Sequence, residues 1–350
     1  MKTIKDLDIK DKIALVRVDY NVPLKDKKVE SDLRIRASLP TINYLIEQGA
    51  KKIVLLSHLG RPEGKEDPEL SLSPIADVLR ELLPKQKVAF LPLPNSKDAL
   101  TIPDDTKIAL LENLRFDPGE EENDDNFIKK IVDATKADFY VQDGFAVIHR
   151  AHASTDAIKN YLPIYAGFLL ENEIKNLESA VKNPKKPVLL IIGGAKVEDK
   201  KPLIDKFLKI ADHIVVGGKI AADGFDSSDS KIYVAEDFDK NSEGQKLDIG
   251  PLATAKIADL VAESKTIIWN GLLGYAEDPA YATSSIITAE VIGDQPNSTT
   301  IICGGDTTGF VENLMKTHPD LSYSLISTGG GASLEYLLGK KLPGIESIAK

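Results

Sequence analysis

The fold is decided by the stretch Leu189-Leu190-Ile191-Ile192-Gly193-Gly194-Ala195-Lys196-Val197-Glu198-Asp199-Lys200, near the middle of the chain. Its uncharged apolar run reads as a strand buried on both faces, as in a parallel sheet covered by helices. Two glycines follow, where the backbone can turn sharply and approach a ligand closely. Lys196 and Lys200 come next, four apart, at the start of a helical pattern through Leu203, Ile204, Phe207 and Leu208. On one helical turn they point the same way. Strand, glycine turn and paired lysines at a helix N-terminus describe a phosphate site. No G-x-x-x-x-G-K-[ST] occurs, so this is not a Walker loop. Taken alone, the stretch is equally a helix that opens with solvated lysines, because short Gly/Lys motifs match by chance.

Outward from it, strand and helix patterns alternate in both directions. Before it, strands are expected at Ile13 to Val18, Ile53 to Ser57, Val88 to Leu91, Ile108 to Leu111 and Phe139 to Val141. After it, they are expected at His213 to Val216, Thr266 to Trp269, Thr300 to Ile302 and Ser324 to Ser327. This rhythm predicts an α/β chain of two doubly wound, Rossmann-like domains with parallel sheets. A length of 350 residues suits about two domains. The long helical pattern Phe168 to Val181, free of Gly and Pro, is the natural joint, giving a boundary at 166/167. Asp223 to Asp248 is acidic and weakly periodic, and reads as loop.

Composition narrows the function. Hydrophobic residues make up 42% and charged residues 28%, as in a soluble globular protein, and the net charge is −10. That charge argues against nucleic acid as a partner. Cys303 is the single cysteine, so no disulfide framework or thiolate cluster exists, and a cytoplasmic setting fits. No signal-peptide pattern and no run of membrane-spanning length stands out.

Ligands of open parallel sheets bind beyond the carboxyl ends of the strands. In the first half those ends carry Arg17-Val18-Asp19-Tyr20-Asn21, Ser57-His58-Leu59-Gly60-Arg61-Pro62, Glu112-Asn113-Leu114-Arg115-Phe116 and Asp143-Gly144-Phe145, with His149-Arg150-Ala151-His152 just beyond. Arg34 opens the first helix. Arginines from four loops converge on one rim, each able to clamp a phosphate or carboxylate at two points. A single such arginine is usually a surface ion pair; a ring of them points to an acidic small molecule. In the second half the ends carry Gly193-Gly194-Ala195-Lys196, Gly217-Gly218, Trp269-Asn270-Gly271, Gly304-Gly305-Asp306-Thr307 and Ser327-Thr328-Gly329-Gly330-Gly331. Glycine at every end exposes backbone N–H groups, whose commonest close ligand is phosphate. Asp306 beside Thr307 suits Mg2+, which takes a carboxylate together with phosphate oxygens; it equally suits a helix N-cap. The layout fits phosphoryl transfer between an acidic small molecule and a nucleotide. His149 and His152 lack a third ligand motif for a metal. Glu120-Glu121-Glu122-Asn123-Asp124-Asp125 precedes a helix and reads as solvated.

Over nearly its whole length the chain resembles the phosphoglycerate kinase family. The resemblance is carried by Val16-Arg17-Val18-Asp19-Tyr20-Asn21-Val22-Pro23, Ser57 to Pro62, Leu111 to Phe116, His149 to Ser154, Gly193 to Val197, Gly304 to Thr307 and Ser327 to Ser333, in the family's order. It implies a monomeric, hinge-bending, Mg2+-dependent kinase of glycolysis that moves a phosphoryl group between 1,3-bisphosphoglycerate/3-phosphoglycerate and ADP/ATP. It further implies a triose-phosphate domain at 1–166 and a nucleotide domain at 167–332 opening with the helix at about 167–182. A tail at 333–350 would return to the first domain. Asp19, Asn21, Arg34, His58, Leu59, Gly60, Arg61, Arg115 and Arg150 match the triose-phosphate site. Gly194, Lys196, Lys200, Gly218, Asn270, Glu277, Gly304, Gly305, Asp306, Thr307, Gly329, Gly330 and Gly331 match the nucleotide site. Arg34, Lys196, Lys200 and Gly330 would meet the transferring group, Asp306 would hold Mg2+ and Glu277 the ribose.

The chain departs from the family pattern at Leu272 (usually proline), Tyr275-Ala276 (Val-Phe), Cys303 (glycine), and Gln142 and Gly144 (Asn and Ala). Gly218 to Asp248 is shorter than the family's stretch by tens of residues, which removes elements that wall the adenine. A non-catalytic nucleotide or triose-phosphate binding relative with a regulatory role is the alternative reading. A Rossmann dehydrogenase is disfavoured, because no G-x-G-x-x-G follows the first strand.

Overall fold

A computed structural model describes residues 1–94 and 100–348. Two six-stranded parallel sheets form the frame. The first holds β1 (Ile13–Arg17), β2 (Lys52–Leu56), β3 (Val88–Leu91), β4 (Ile108–Leu111), β5 (Phe139–Gln142) and β6 (Ile164–Ala166), in the order β3-β4-β2-β1-β5-β6. The second holds β7 (Val188–Ile192), β8 (His213–Val216), β9 (Ile232–Val234), β12 (Thr266–Asn270), β13 (Thr299–Cys303) and β14 (Leu325–Ile326), in the order β9-β8-β7-β12-β13-β14. Between β9 and β12 the chain makes an antiparallel ribbon of β10 (Phe238–Lys240) and β11 (Lys246–Ile249).

The apolar runs explain the layering. Every residue of β7 is buried, as are all of β12 and β4, because helices cover both faces of a parallel sheet. The second sheet has the strand order of the dinucleotide-binding fold, with its topological switch point between β7 and β12. Loops leaving two neighbouring strands in opposite directions open a crevice there.

The chain divides into two compact units, one of residues 1–172 with the tail from Lys341, the other Glu173–Lys340. The first boundary falls inside the helix Phe168–Val181 rather than at 166/167. Residues 333–340 belong to the second unit, because the helix Gly331–Leu337 grows directly from the loop after β14. The tail meets the first unit through Gly344 N–H donating to the Ile148 carbonyl at 2.9 Å. Residues 349 and 350 of that expected tail lie outside the described residues.

Four strands of the sheets and the ribbon go beyond the sequence expectation. β6 is a three-residue edge strand behind Pro163. β9 and the ribbon occupy Asp223 to Asp248, which reads as loop because three or four residues of alternation are too short to register.

Candidate functional site

In the first unit the arginines gather at the carboxyl ends of β1, β2 and β4. Arg17, the last residue of β1, is only 1% exposed. Its guanidinium donates from Nε to Ser154 Oγ at 2.9 Å, from Nη1 to the Val18 carbonyl at 2.6 Å and from Nη2 to His58 Nδ1 at 3.1 Å. Ser154 hands the interaction on: its hydroxyl donates to Glu120 Oε1 at 2.6 Å and its N–H to Oε2 at 3.0 Å. A guanidinium has no acceptor. His58 Nδ1 is therefore the accepting nitrogen and its Nε2 carries the proton. Burial first, and then the neighbouring Arg17, hold the His58 imidazole well below its ordinary range. His152, lowered chiefly by burial and by Arg115, is pushed down to about 4. Both are thus neutral donors at neutral pH, and charge at this site comes from the arginines.

Asp19, 3% exposed, pairs with Arg34 in the first turn of the helix Leu33–Glu47, while its Oδ1 accepts the Asn21 N–H at 3.2 Å. Asn21 Oδ1 in turn accepts the Gly60 N–H at 3.0 Å, and Arg115 Nη1 donates to the Gly60 carbonyl at 2.7 Å. Buried Asn113 ties Leu59 N–H, Leu59 carbonyl and Arg115 N–H into the same corner. Asp19, Asn21, Arg34, Leu59, Gly60 and Arg115 are thus joined by one web, and His58 is held beside it by Arg17. Arg61 is exposed beside it, and Arg150 is half-buried, with Nε donating to His149 Nε2 at 3.3 Å. No helix carries His149 and His152 on one face. Among the described residues no cluster of three His, Cys, Asp or Glu side chains suits a metal.

Arg17, Asn113, Ser154 and Glu120 form the layer beneath that web and are absent from the expected site. Glu120 corrects the reading of its acidic run as solvated: it is fully buried, because its carboxylate answers Ser154 under Arg17. Asp124 behaves as expected for a helix start, accepting the Asn126 N–H at 2.6 Å. An arginine closing an apolar strand is the one sequence signal of this buried layer. NMR titration of the imidazole C–H signals is expected to show no midpoint for His58 or His152 above pH 5; a His58 midpoint near 6.5 would contradict the Arg17 contact.

In the second unit a cavity of about 410 Å3 opens along the carboxyl ends of β13, β12, β7 and β8. Four adjacent strands span about 14 Å, the scale of a nucleoside with its phosphate chain. Lys196, Lys200, Gly194 and Gly218 line it from the β7 and β8 ends, Gly304 to Thr307 from β13, and Glu277 from the loop after β12. The floor is closed by backbone: Gly193 N–H donates to the Asn270 carbonyl at 3.1 Å and Gly194 N–H to the Leu272 carbonyl at 2.8 Å. A Cβ on Gly193 would sit 2.2 Å from the Leu272 carbonyl oxygen. Gly193→Ala is accordingly expected to destabilise the second unit by about 3 kcal/mol. A lowered urea midpoint measures this; an unshifted midpoint would mean the floor can yield.

Lys200 is half-buried, and burial lowers its pKa. Its ammonium meets Asn270 Oδ1, so the Asn270 amide, 1% exposed, stands beneath the lysine rather than in the cavity wall. Asn270 Nδ2 donates on to Cys303 Sγ at 3.3 Å. Thr307 Oγ1 accepts the Gly271 N–H at 2.8 Å. Asp306 stands in the first turn of the helix Gly305–Met315, where free N–H groups and the dipole favour anions. Gly329, Gly330 and Gly331 lie outside the cavity lining, beyond β14, one strand further along the sheet edge. Their loop is anchored by Glu173, which accepts Ser327 Oγ at 2.7 Å and Thr328 N–H at 2.6 Å.

The phosphoglycerate kinase family model matches residues 4–225 and 221–340. The two pieces meet where the shortened stretch from Gly218 begins. A phosphoglycerate kinase of Fervidobacterium nodosum is 40% identical over 398 aligned residues, covering 99% of this chain and 98% of the relative. Among solved structures, phosphoglycerate kinase from Coxiella burnetii superposes with a TM-score of 0.79 at 32% identity, and that from Pyrococcus horikoshii OT3 with 0.85 at 28%. Each alignment covers 99% of this chain and 98% of the other. With a family model matching both halves and relatives that align over nearly the whole chain, the chain belongs to the phosphoglycerate kinase family.

Proposed function

We propose that the chain transfers a phosphoryl group between the carboxyl oxygen of 3-phosphoglycerate and ADP/ATP, with Mg2+, directly and without a covalent enzyme intermediate. In glycolysis the direction is towards ATP. The cavity at the β7/β12 switch point carries this reading: it combines backbone donors, two lysines and a helix N-terminus at one end of a nucleotide-sized space. The arginine web of the first unit supplies the complementary site for an anionic triose.

The acceptor is a carboxylate, already ionised at neutral pH, so no general base is needed. Catalysis then consists of positioning and charge neutralisation. Asp19 holds Arg34 so that its free donors face the transferring group, while His58 donates from Nε2 to the triose phosphate. Asn21, Arg61, Arg115 and Arg150 complete the grip. Lys196, Lys200 and the N–H groups at Gly305 to Thr307 hold the nucleotide phosphates, and Gly329 to Gly331 offer further donors at the next strand end. Asp306 fits Mg2+, since that ion is commonly held by one carboxylate together with phosphate oxygens. When bound, Mg2+ would neutralise developing charge on the phosphates. Both anion sites must reach one phosphoryl group, so we assign a hinge motion to the region of the helix Phe168–Val181. We further propose a monomer acting in the cytoplasm. Incubation with γ-labelled ATP tests direct transfer: label should appear on 3-phosphoglycerate and never on the protein. Label retained on the protein after denaturation would overturn it.

A further inference from the structure

We propose that Cys303 is a positioning residue for nucleotide binding: its thiol fixes the sense of the buried Asn270 amide, and the amide in turn holds Lys200 towards the nucleotide phosphates. The inference rests on reading the cavity as a nucleotide site. The three residues come from three elements. Cys303 closes β13, Asn270 closes the neighbouring strand β12, and Lys200 stands on the helix Val197–Phe207. Asn270 and Cys303 are register partners in the parallel pair, so their side chains leave the sheet on the same face.

The hydrogen bonds run in one direction. An ammonium donates and never accepts, so Lys200 meets Asn270 through Oδ1. That turns Asn270 Nδ2 towards Cys303 Sγ, to which it donates at 3.3 Å. The sulfur accepts there because its own proton is directed to the Trp269 carbonyl, 3.6 Å away. Burial pushes the Cys303 thiol up to about 11, so it keeps that proton at neutral pH. Asn270 is 1% exposed and Cys303 is fully buried. In such a place an amide N–H without an acceptor is costly. The reversed amide would set its NH2 against the ammonium, so thiol and lysine together select one sense. A glycine, which the family pattern has at position 303, offers no side-chain acceptor. Lys200 is thus given its direction before phosphates arrive, and less order is lost when they bind.

The test is calorimetric titration by ADP, with Mg2+ present, of the full chain and of its Cys303→Ala, Cys303→Ser, Lys200→Ala and Lys200→Ala/Cys303→Ala variants. Cys303→Ala is expected to weaken ADP about threefold, the scale of one modest hydrogen bond. Cys303→Ser should restore the affinity, because a hydroxyl both accepts and donates. In the Lys200→Ala background, Cys303→Ala should change nothing, since its effect passes through the lysine. A thiol that merely fills space would cost the same in both backgrounds. Unchanged ADP affinity in Cys303→Ala, a serine variant as weak as the alanine one, or equal losses in both backgrounds overturns the inference and leaves the nucleotide reading standing. No ADP binding by the parent chain overturns both.

Discussion

Arg34→Ala is expected to lower kcat by about two to three orders of magnitude, the loss typical when a donor aimed at developing charge is removed. Nucleotide affinity should stay within about twofold. The reason is positional. Arg34 stands on the first unit, one third exposed, with its orientation set by the almost fully buried Asp19. The cavity proposed for the nucleotide is built entirely from the second unit. An interaction made only with the transferring group lowers kcat and kcat/KM together. Removal of the guanidinium also strands the Asp19 carboxylate, so Arg34→Lys is the informative companion. It keeps a charge for Asp19 and loses the two-point fork, and should recover only part of the rate. A kcat loss below tenfold, or a parallel loss of nucleotide affinity, would contradict the role given to Arg34.

Lys200→Ala is expected to act on the other substrate, weakening ADP and ATP about 10- to 100-fold, the scale of one hydrogen bond to a charged group. Half-burial makes the bare ammonium costly, which is why its pKa is lowered. A bound phosphate relieves that cost, so the lysine contributes more than an exposed one would. Its tether to Asn270 keeps it aimed along the cavity floor. Lys196, exposed at the N-cap of the helix Val197–Phe207, should cost several-fold less when replaced. Calorimetric titration reads both; unchanged affinity in Lys200→Ala would remove it from the phosphate site.

Much of this was legible because the family's motifs are contiguous and chemically loud. Val188–Ile192 followed by Gly193, Gly194 and Lys196 announces a buried strand, a turn and an anion site within nine residues. The arginines at strand ends likewise stand out against apolar runs. What was illegible depends on distance along the chain. Arg17 and Ser154 lie 137 positions apart and Ser154 and Glu120 lie 34 apart, so nothing local marks Glu120 as buried or Arg17 as the group that orients His58. A buried charge and a solvated one are the same letter. Asn270 shows a second limit: the motif places it in the site, but its amide faces Lys200 from below, and only the fold decides which side of a strand end meets ligand. The ribbon Phe238–Ile249 shows a third. Its strands are too short for period-two alternation to register.

The most direct measurement is a coupled assay on the purified chain with 3-phosphoglycerate, Mg2+ and ATP. Acyl-phosphate formation is followed through NADH consumption by an added dehydrogenase. Mg2+-dependent turnover that stops when 3-phosphoglycerate is omitted is the predicted result. No turnover with ATP, GTP or ITP, from protein shown to be folded, would contradict phosphoryl transfer and favour a binding protein that has kept both anion sites.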